Sequence, residues 1–208
     1  MKKYNVGIIG YGWAAGAHID AINATDKAQV TAVYSSRTLD EAEVSRKHGS
    51  NIRVFSDLDK MLADPDIHVI DISSYPSHHS AQAIAVANAG KHIILEKPMA
   101  NSLQECRDIV EAAEKNGVKG CVCFECRFSN QFTVTNSVIK EGLLGDLHYA
   151  EVDYYHGIGP WYGQFRWNVG KKDGGSALLT AGCHALDALL MCMGSEVESV
   201  SSFSTKSS

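Results

Sequence analysis

The sequence predicts an α/β protein in which a doubly wound domain with a parallel sheet is followed by an incomplete α+β domain. Apolar, β-branched runs alternate with helix-length stretches up to residue 121. After residue 124 this rhythm gives way to fewer and longer segments, one of them alternating like a strand at 147–156. A content of 45% hydrophobic residues with only 4 Pro in 208 residues indicates a folded globular chain.

The first domain is predicted to consist of strands that are each followed by a helix. Strand-like runs lie at 4–9, 30–35, 68–72, 92–95 and 118–123, with a shorter candidate at 52–55. Helix-like stretches lie at 13–24, 38–48, 57–63, 77–89 and 101–116. Because each connection is long enough for a helix, the strands are expected to be parallel, with helices on both faces.

Turn and capping residues support these boundaries. Gly90 and Gly117 stand where two of the helices should end. Ser102, with Glu105 three residues later, is a capping pair for the helix at 101–116.

The second part is predicted to hold a mainly antiparallel open sheet. A helix at about 129–141 precedes the strand at 147–156. A polar and aromatic loop at 157–175 then leads to an apolar helix at about 175–193 and a strand at 197–203. We therefore expect two domains, 1–121 and 122–208.

Composition excludes several classes of function. A net charge of −5 argues against binding of a nucleic-acid backbone, and no apolar run approaches the ~18 residues of a membrane span. Six cysteines without a disulfide spacing fit a reducing, cytoplasmic location. Lys2 and Lys3 before an apolar stretch could instead begin a secretory signal, but glycines interrupt that stretch.

The first strand runs into a glycine motif that is typical of dinucleotide binding. The residues are Gly10, Tyr11, Gly12, Trp13, Ala14 and Ala15, or G-x-G-x-x-A, between a strand and a helix. The first glycine allows the tight turn, the second lets the backbone approach a pyrophosphate, and the small third residue allows close packing. This context predicts a Rossmann domain, and the alternative is a tight turn without a ligand.

The end of the second strand bears on the choice of cofactor. An acidic residue there would bind the ribose of NAD, but the sequence reads Ser35, Ser36 and Arg37. Two hydroxyls and a guanidinium can hold a 2′-phosphate, which favours NADP over NAD. In the alternative interpretation Arg37 is a solvated loop charge.

Candidate chemistry lies at three further places. Lys97 follows the apolar strand at 92–95, at the edge where ligands bind in parallel sheets. Thr180, His184 and Asp187 share one face of an apolar helix, either as a core polar group or with His184 as an acid/base that Asp187 orients. The loop at 157–175 carries Trp161, Arg166 and Trp167, which suit a polyhydroxylated ring or equally a subunit interface.

A metal site is not predicted. Cys123 and Cys126 form a C-x-x-C without a second ligand pair at similar spacing, so we interpret these cysteines as thiols at the end of a strand.

Taken together, the motifs resemble the glucose-fructose oxidoreductase, inositol dehydrogenase and MocA (Gfo/Idh/MocA) family of NAD(P)-dependent oxidoreductases. The resemblance covers nearly the whole chain: GIIGYGWAA at the start, YPSHHSAQAIAVANAGKHIILEKPMA at 75–100, ECRF at 125–128 and GGSALLTAGCHALD at 174–187. It implies hydride transfer between a nicotinamide and a secondary hydroxyl or keto group of a sugar or polyol. It also implies a homo-oligomer.

Site residues follow from this resemblance. It puts Lys97 beside the nicotinamide and the reacting carbinol, with the Lys97–Pro98 bond often cis, and gives His184 the role of acid/base. It places Ser74, Tyr75, His79 and Glu96 along the cofactor. Thr180 stands where the family often has Asp, so proton transfer would fall on Lys97 and His184. Family members are usually much longer, and the chain resembles a truncated copy.

Two alternatives keep the dinucleotide site and change the function. One is a glycoside hydrolase that uses transient oxidation by tightly held NAD. The other is a dinucleotide-binding regulator or redox sensor without turnover.

Overall fold

The computed structural model describes residues 3–155 and 170–204. These residues fall into two compact units, one of 3–124 with 170–181 and the other of 125–155 with 182–204. Each unit is described by itself below.

The first unit contains a six-stranded parallel sheet, which confirms the predicted doubly wound fold. The strands are β1 (Tyr4–Ile9), β2 (Ala28–Tyr34), β3 (Arg53–Phe55), β4 (Val69–Ile72), β5 (His92–Glu96) and β6 (Gly120–Cys123). Their spatial order is β3-β2-β1-β4-β5-β6, and every neighbouring pair is parallel. The strand order reverses between β1 and β4, because β2 and β3 extend the sheet on one side of β1 and β4, β5 and β6 extend it on the other. In parallel sheets of this kind, ligands bind at this switch point, beyond the carboxyl ends of the strands.

Helices connect the strands as the sequence predicts. They are α1 (Trp13–Asn23), α2 (Glu41–His48), α3 (Leu58–Leu62), α4 (Pro76–Asn88) and α5 (Leu103–Lys115). The hydroxyl of Ser102 caps α5 by accepting the Glu105 N–H, as expected. Gly90 and Gly117 follow α4 and α5 with positive φ.

Two apolar layers hold the helices against the sheet. One contains Val6, Ile8, Ala15, Ile19 and Val44, so α1 and α2 pack on that side of β1. The other joins Ile9 to buried residues of α3, α4 and α5. Successive strand residues point to opposite faces, so a strand that is apolar at every position supports helices on both sides.

The end of the first unit is a short segment held by polar contacts. Helix α7 (Lys171–Gly174) begins it, and a π-helical turn at Leu178–Gly182 follows. Ser77 donates a hydrogen bond to the Asp173 carboxylate, 2.8 Å between oxygens, which ties α7 to α4. The predicted helix at about 175–193 is present at 177–193, with a π-helical turn in its first part; Gly175, whose φ is +72°, separates it from α7.

The regular elements that the structure describes in the second unit are all helical. A 3₁₀ turn (Glu125–Phe128) is followed by α6 (Asn130–Lys140), and α8 spans Cys183–Met193. The predicted strands at 147–156 and 197–203 are wrong for the residues that the structure describes, because none of these is in a strand. An alternating sequence forms a strand only beside a hydrogen-bonded neighbour.

Residues Lys171–Met193 contain a window with a mean hydropathy of 1.5, long and apolar enough to cross a membrane by length and composition alone. The sequence-based statement that no stretch approaches this length was too strict. The indication is weak, because core helices of soluble proteins have the same property.

Candidate dinucleotide and proton-transfer site

The glycine motif forms the turn that the sequence predicts between β1 and α1. Gly10 has a φ of +94°, and a Cβ there would lie 2.8 Å from the Ser73 carbonyl oxygen. A Cβ on Gly12, in contrast, would meet no protein atom within 4 Å. Gly10 is thus required by the fold, whereas the space at Gly12 remains open to a ligand.

The N-terminus of α1 can bind an anion. Gly12 is its N-cap, and no described side chain caps its free N–H groups. These groups belong to the turn that contains Trp13, Ala14 and Ala15. They point, with the positive end of the helix dipole, toward the open space at Gly12, and a pyrophosphate fits there.

Basic and hydroxyl side chains line the concave surface next to this turn. A cavity of about 460 Å³ is bordered by Gly12, Trp13, Arg37 and Lys47, and Arg37 also borders a second cavity of about 400 Å³ beside Ser35 and Ser36. The Arg37 guanidinium donates to the Tyr11 carbonyl oxygen. The Lys47 amine nitrogen lies 5.3 Å from the centre of the Tyr11 ring. The residues present therefore fit a nucleotide with an additional phosphate.

The surroundings of Ser35, and the presence of Lys47 at the cavity, were not predicted from the sequence. The Ser35 hydroxyl is buried and accepts the Arg37 N–H, so it shapes the loop from within. Lys47 was missed because it lies on α2, ten residues beyond Arg37 along the chain. A lysine in the last turn of a helix is commonly explained by its favourable interaction with the helix dipole, so its position alone does not indicate a ligand site.

The segment after β4, which contains Ser74, Tyr75 and His79, contacts the turn that follows β5 through His79. The Ser74 hydroxyl donates to Gln82, and Tyr75 is half exposed and stacks on His78. His79 is fully buried, with its ring nitrogens 2.8 Å from the Pro98 carbonyl oxygen and 3.2 Å from that of Ser74. Burial lowers its pKa despite these contacts. The His79 side chain thus links the loop after β4 to the turn after β5, and its place along a cofactor stays a prediction.

Lys97 is held at the carboxyl end of β5. The Lys97–Pro98 peptide bond is cis. The Lys97 amine donates to the Thr180 carbonyl oxygen at 3.0 Å. The Thr180 hydroxyl itself donates to the main-chain carbonyl oxygen of Ser176, four residues earlier. The structure therefore brings Lys97 and Thr180 together within the first unit, through the main chain of Thr180.

A charged group that was not predicted from the sequence adjoins Lys97. His18 of α1 contacts Asp71 of β4 at 2.6 Å and Glu96 of β5 at 3.0 Å. The hydrogen bond to Asp71, and then that to Glu96, raises the pKa of His18 to about 10 against the opposing effect of burial. Burial alone would raise the pKa of Glu96, but the hydrogen bond from His18 lowers it. His18 is therefore an imidazolium at neutral pH.

In the second unit, His184 lies on α8 with 6% of its surface exposed. Its ring stacks on that of Tyr154, with centroids 6.4 Å apart. Asp187 accepts hydrogen bonds from Arg127 in the 3₁₀ turn. The idea that Asp187 orients His184 stays a prediction. Trp161, Arg166 and Trp167 lie outside the described residues.

Within residues 3–155 and 170–204, two groups of side chains have metal-ligand atoms within 4.8 Å of one another. They are His18, Glu96 and Cys123 in the first unit, and Glu125, Cys126 and His184 in the second. In the first of these groups, both His18 nitrogens are engaged by carboxylates, Nδ1 by Asp71 and Nε2 by Glu96. The absence of a metal site stays a prediction.

The fold order, the open glycine turn and the basic cavity together define a dinucleotide-binding protein of the Rossmann class. Residues 4–124 match the oxidoreductase family with an NAD-binding Rossmann fold, and residues 132–208 match the GFO/IDH/MocA C-terminal domain. The chain belongs to the Gfo/Idh/MocA family of oxidoreductases, and its cofactor is NAD or NADP.

Several known proteins are similar to this chain. The scyllo-inositol 2-dehydrogenase (NADP(+)) IolW of Bacillus subtilis is 28% identical over 93% of the chain and 53% of its own length. The levoglucosan dehydrogenase of Pseudarthrobacter phenanthrenivorans is 34% identical over 71% of the chain and 40% of its own length. The structure of the WlbA dehydrogenase of Bordetella pertussis, in complex with NADH and UDP-GlcNAcA, has a TM-score of 0.82 and 26% identity, over 92% of this chain and 57% of that one. The chain spans about half the length of the curated relatives it matches.

Proposed function

We propose that this chain belongs to an oxidoreductase that transfers a hydride between a nicotinamide and a secondary hydroxyl or keto group of a sugar or polyol. The observation that carries the proposal is Lys97, whose amine lies at the carboxyl end of β5, the sheet edge where cofactor and substrate meet in this fold. Similarity to an inositol and a levoglucosan dehydrogenase supports the substrate class.

The chain's own residues supply binding and proton transfer. Gly10, Gly12 and the N-terminus of α1 hold the pyrophosphate, while Ser36 and Arg37 hold the adenosine ribose or its 2′-phosphate. Ser74, Tyr75 and Pro98 border the cofactor, with Glu96 at its nicotinamide end. When bound, the nicotinamide accepts or supplies the hydride.

Lys97 is proposed to exchange the proton of the substrate hydroxyl as the carbinol and carbonyl forms interconvert. Its amine now donates to a main-chain carbonyl oxygen, which is a weaker partner than a carboxylate and can be exchanged for a substrate oxygen. His184 is the second proposed acid/base, with Thr180, Trp161, Arg166 and Trp167 as substrate contacts. A cytoplasmic location and the homo-oligomer implied by the family belong to the same proposal.

The experiment has two stages. Fluorescence titration with NADH and NADPH should show saturable binding, and turnover is then measured over a panel of inositols and aldoses. Lys97→Met should abolish turnover and change cofactor affinity by less than about threefold, since the amine acts on the substrate. Lys115→Met, at the exposed C-terminal end of α5, is the matched control and should change neither.

Three results would contradict the proposal. Equal loss of binding and turnover in Lys97→Met would make Lys97 a cofactor ligand. Release of a sugar leaving group without net consumption of the cofactor would indicate glycoside cleavage. Saturable binding with no turnover of any substrate would indicate a dinucleotide-binding regulator.

A further inference from the structure

A partly buried charged group joins helix α1 to the turn that contains Lys97. His18 Nδ1 lies 2.6 Å from Asp71 Oδ2, and His18 Nε2 lies 3.0 Å from Glu96 Oε1. Asp71 has only 1% of its side chain exposed, and its other oxygen accepts the Ser73 hydroxyl at 2.6 Å. Because a buried carboxylate requires partners, Asp71 fixes the position of the His18 ring.

Glu96 passes this constraint to the next residue. Its Oε1 accepts from His18, and its Oε2 accepts the main-chain N–H of Lys97 at 3.0 Å. One carboxylate therefore connects an imidazolium to the backbone of Lys97. The pKa shift of His18 to about 10 supports this connection, because the ring keeps both donors at the pH of assay.

Lys97 is thus fixed at two points, its main chain by Glu96 and its amine by the carbonyl oxygen of Thr180. A long side chain such as lysine loses considerable entropy when it is ordered, and a rigid main chain reduces the number of positions its amine can reach. A shift of the main chain would move the amine by a comparable distance.

We propose that His18 is a positioning residue for Lys97, which it orients through Glu96 without contacting substrate. The inference rests on the proposed function, in which Lys97 exchanges the substrate proton. It goes beyond it by assigning a role to a helix residue that lies outside the G-x-G-x-x-A motif.

Two substitutions separate the two hydrogen bonds of the ring. Asparagine places an amide N–H near the position of Nδ1, so His18→Asn keeps a donor to Asp71 and releases Glu96. Glutamine reaches farther, near the position of Nε2, so His18→Gln keeps a donor to Glu96 and releases Asp71. A purely structural His18 would tolerate Asn better than Gln, and a positioning His18 would show the opposite order in turnover.

Turnover, KM, cofactor affinity and thermal unfolding are measured for both variants. In His18→Asn we expect kcat to fall about 10- to 100-fold, the scale of a small misplacement of a reacting group. Affinity for NADH and KM should change by less than about threefold, since no binding contact is lost. His18→Gln should lose less kcat than His18→Asn, although it is the less stable of the two.

A nuclear magnetic resonance measurement tests whether His18 positions Lys97, even if the chain turns over no substrate. The Lys97 amide signal should shift and exchange faster in His18→Asn and stay close to wild type in His18→Gln. If wild type lacks turnover but this pattern holds, the proposed function fails and the positioning role of His18 stands. If the Lys97 amide is unchanged in His18→Asn, or kcat is unchanged where wild type is active, the inference is wrong.

Discussion

The two glycines of the dinucleotide turn should respond in opposite ways to alanine. Gly10 has a φ of +94°, and its new Cβ would lie 2.8 Å from a main-chain oxygen that cannot rotate away. The left-handed conformation costs about 1–2 kcal/mol, and the crowding adds a further 1–3 kcal/mol or so. Gly10→Ala should therefore lower the free energy of unfolding by about 2–5 kcal/mol.

Gly12→Ala is the matched variant. Gly12 has extended φ and ψ values of −108° and −162°, and its Cβ would meet no protein atom within 4 Å. Stability should stay within about 1 kcal/mol of wild type, with a small gain from the restricted unfolded chain. If the pyrophosphate occupies this space, crowding of about 1–3 kcal/mol weakens binding about 5- to 150-fold.

Urea unfolding followed by circular dichroism measures the first effect, and titration with NADH and NADPH measures the second. Gly10→Ala should lose stability, whereas Gly12→Ala should keep its stability and lose cofactor affinity. Binding of both cofactors by Gly12→Ala as tightly as by wild type, or an equal loss of stability in the two variants, would refute this assignment of the two glycines.

Further predictions concern charge. Arg37→Ala should weaken NADPH binding about 10- to 100-fold, the worth of a charge-assisted hydrogen bond, and leave NADH binding nearly unchanged; Arg46→Ala on the exposed face of α2 is the control. His18 has a folded pKa of about 10 against 6.5 in the unfolded chain, so its stabilisation is complete below pH 6.5 and is lost as pH rises toward 10. That loss amounts to at most about 5 kcal/mol, and the difference in unfolding free energy between wild type and His18→Asn should shrink across this window. A constant difference would contradict the assigned charge. Asp187→Asn should weaken the pairing with half-exposed Arg127 and cost about 1 kcal/mol in thermal unfolding, without altering NADH binding; a loss of affinity would count against this.

The first unit was predictable because its signals are local. Gly10 and Gly12 lie within three residues of each other, and the Ser102 cap and the Gly90 helix end are each specified by a few neighbours. A strand that is apolar at every position, bounded by such signals, has few folds open to it.

The charged group at His18 was not predicted because its members are distant in sequence. His18 and Asp71 are 53 positions apart, and His18 and Glu96 are 78 apart. One signal was present: Asp71 is a carboxylate inside the otherwise apolar strand Val69–Ile72, and a buried carboxylate requires a partner. A search for a cationic side chain on the inner face of α1 would have found His18.

The second unit was predicted less well for a different reason. Strand-like alternation at 197–203 says which face of a strand would be buried, but not whether a neighbour is present to pair with it. Similarly, the apolar run after Gly175 suggested a buried helix, but Leu178, Leu186 and Leu190 are exposed. The run also did not reveal that the helix changes its winding at Leu178–Gly182. Strand pairing and helix winding at these positions depend on contacts with residues that are distant in sequence.

Helix α1 bears on how this protein can be redesigned. Its first residues form the phosphate turn, and His18 lies five positions along the same helix, about 7 Å farther on. If a replacement of the glycine loop shifts α1, it therefore also moves His18, which supports the turn that contains Lys97. Engineering of cofactor preference is better confined to Ser36 and Arg37, which lie on a separate loop and leave the register of α1 intact.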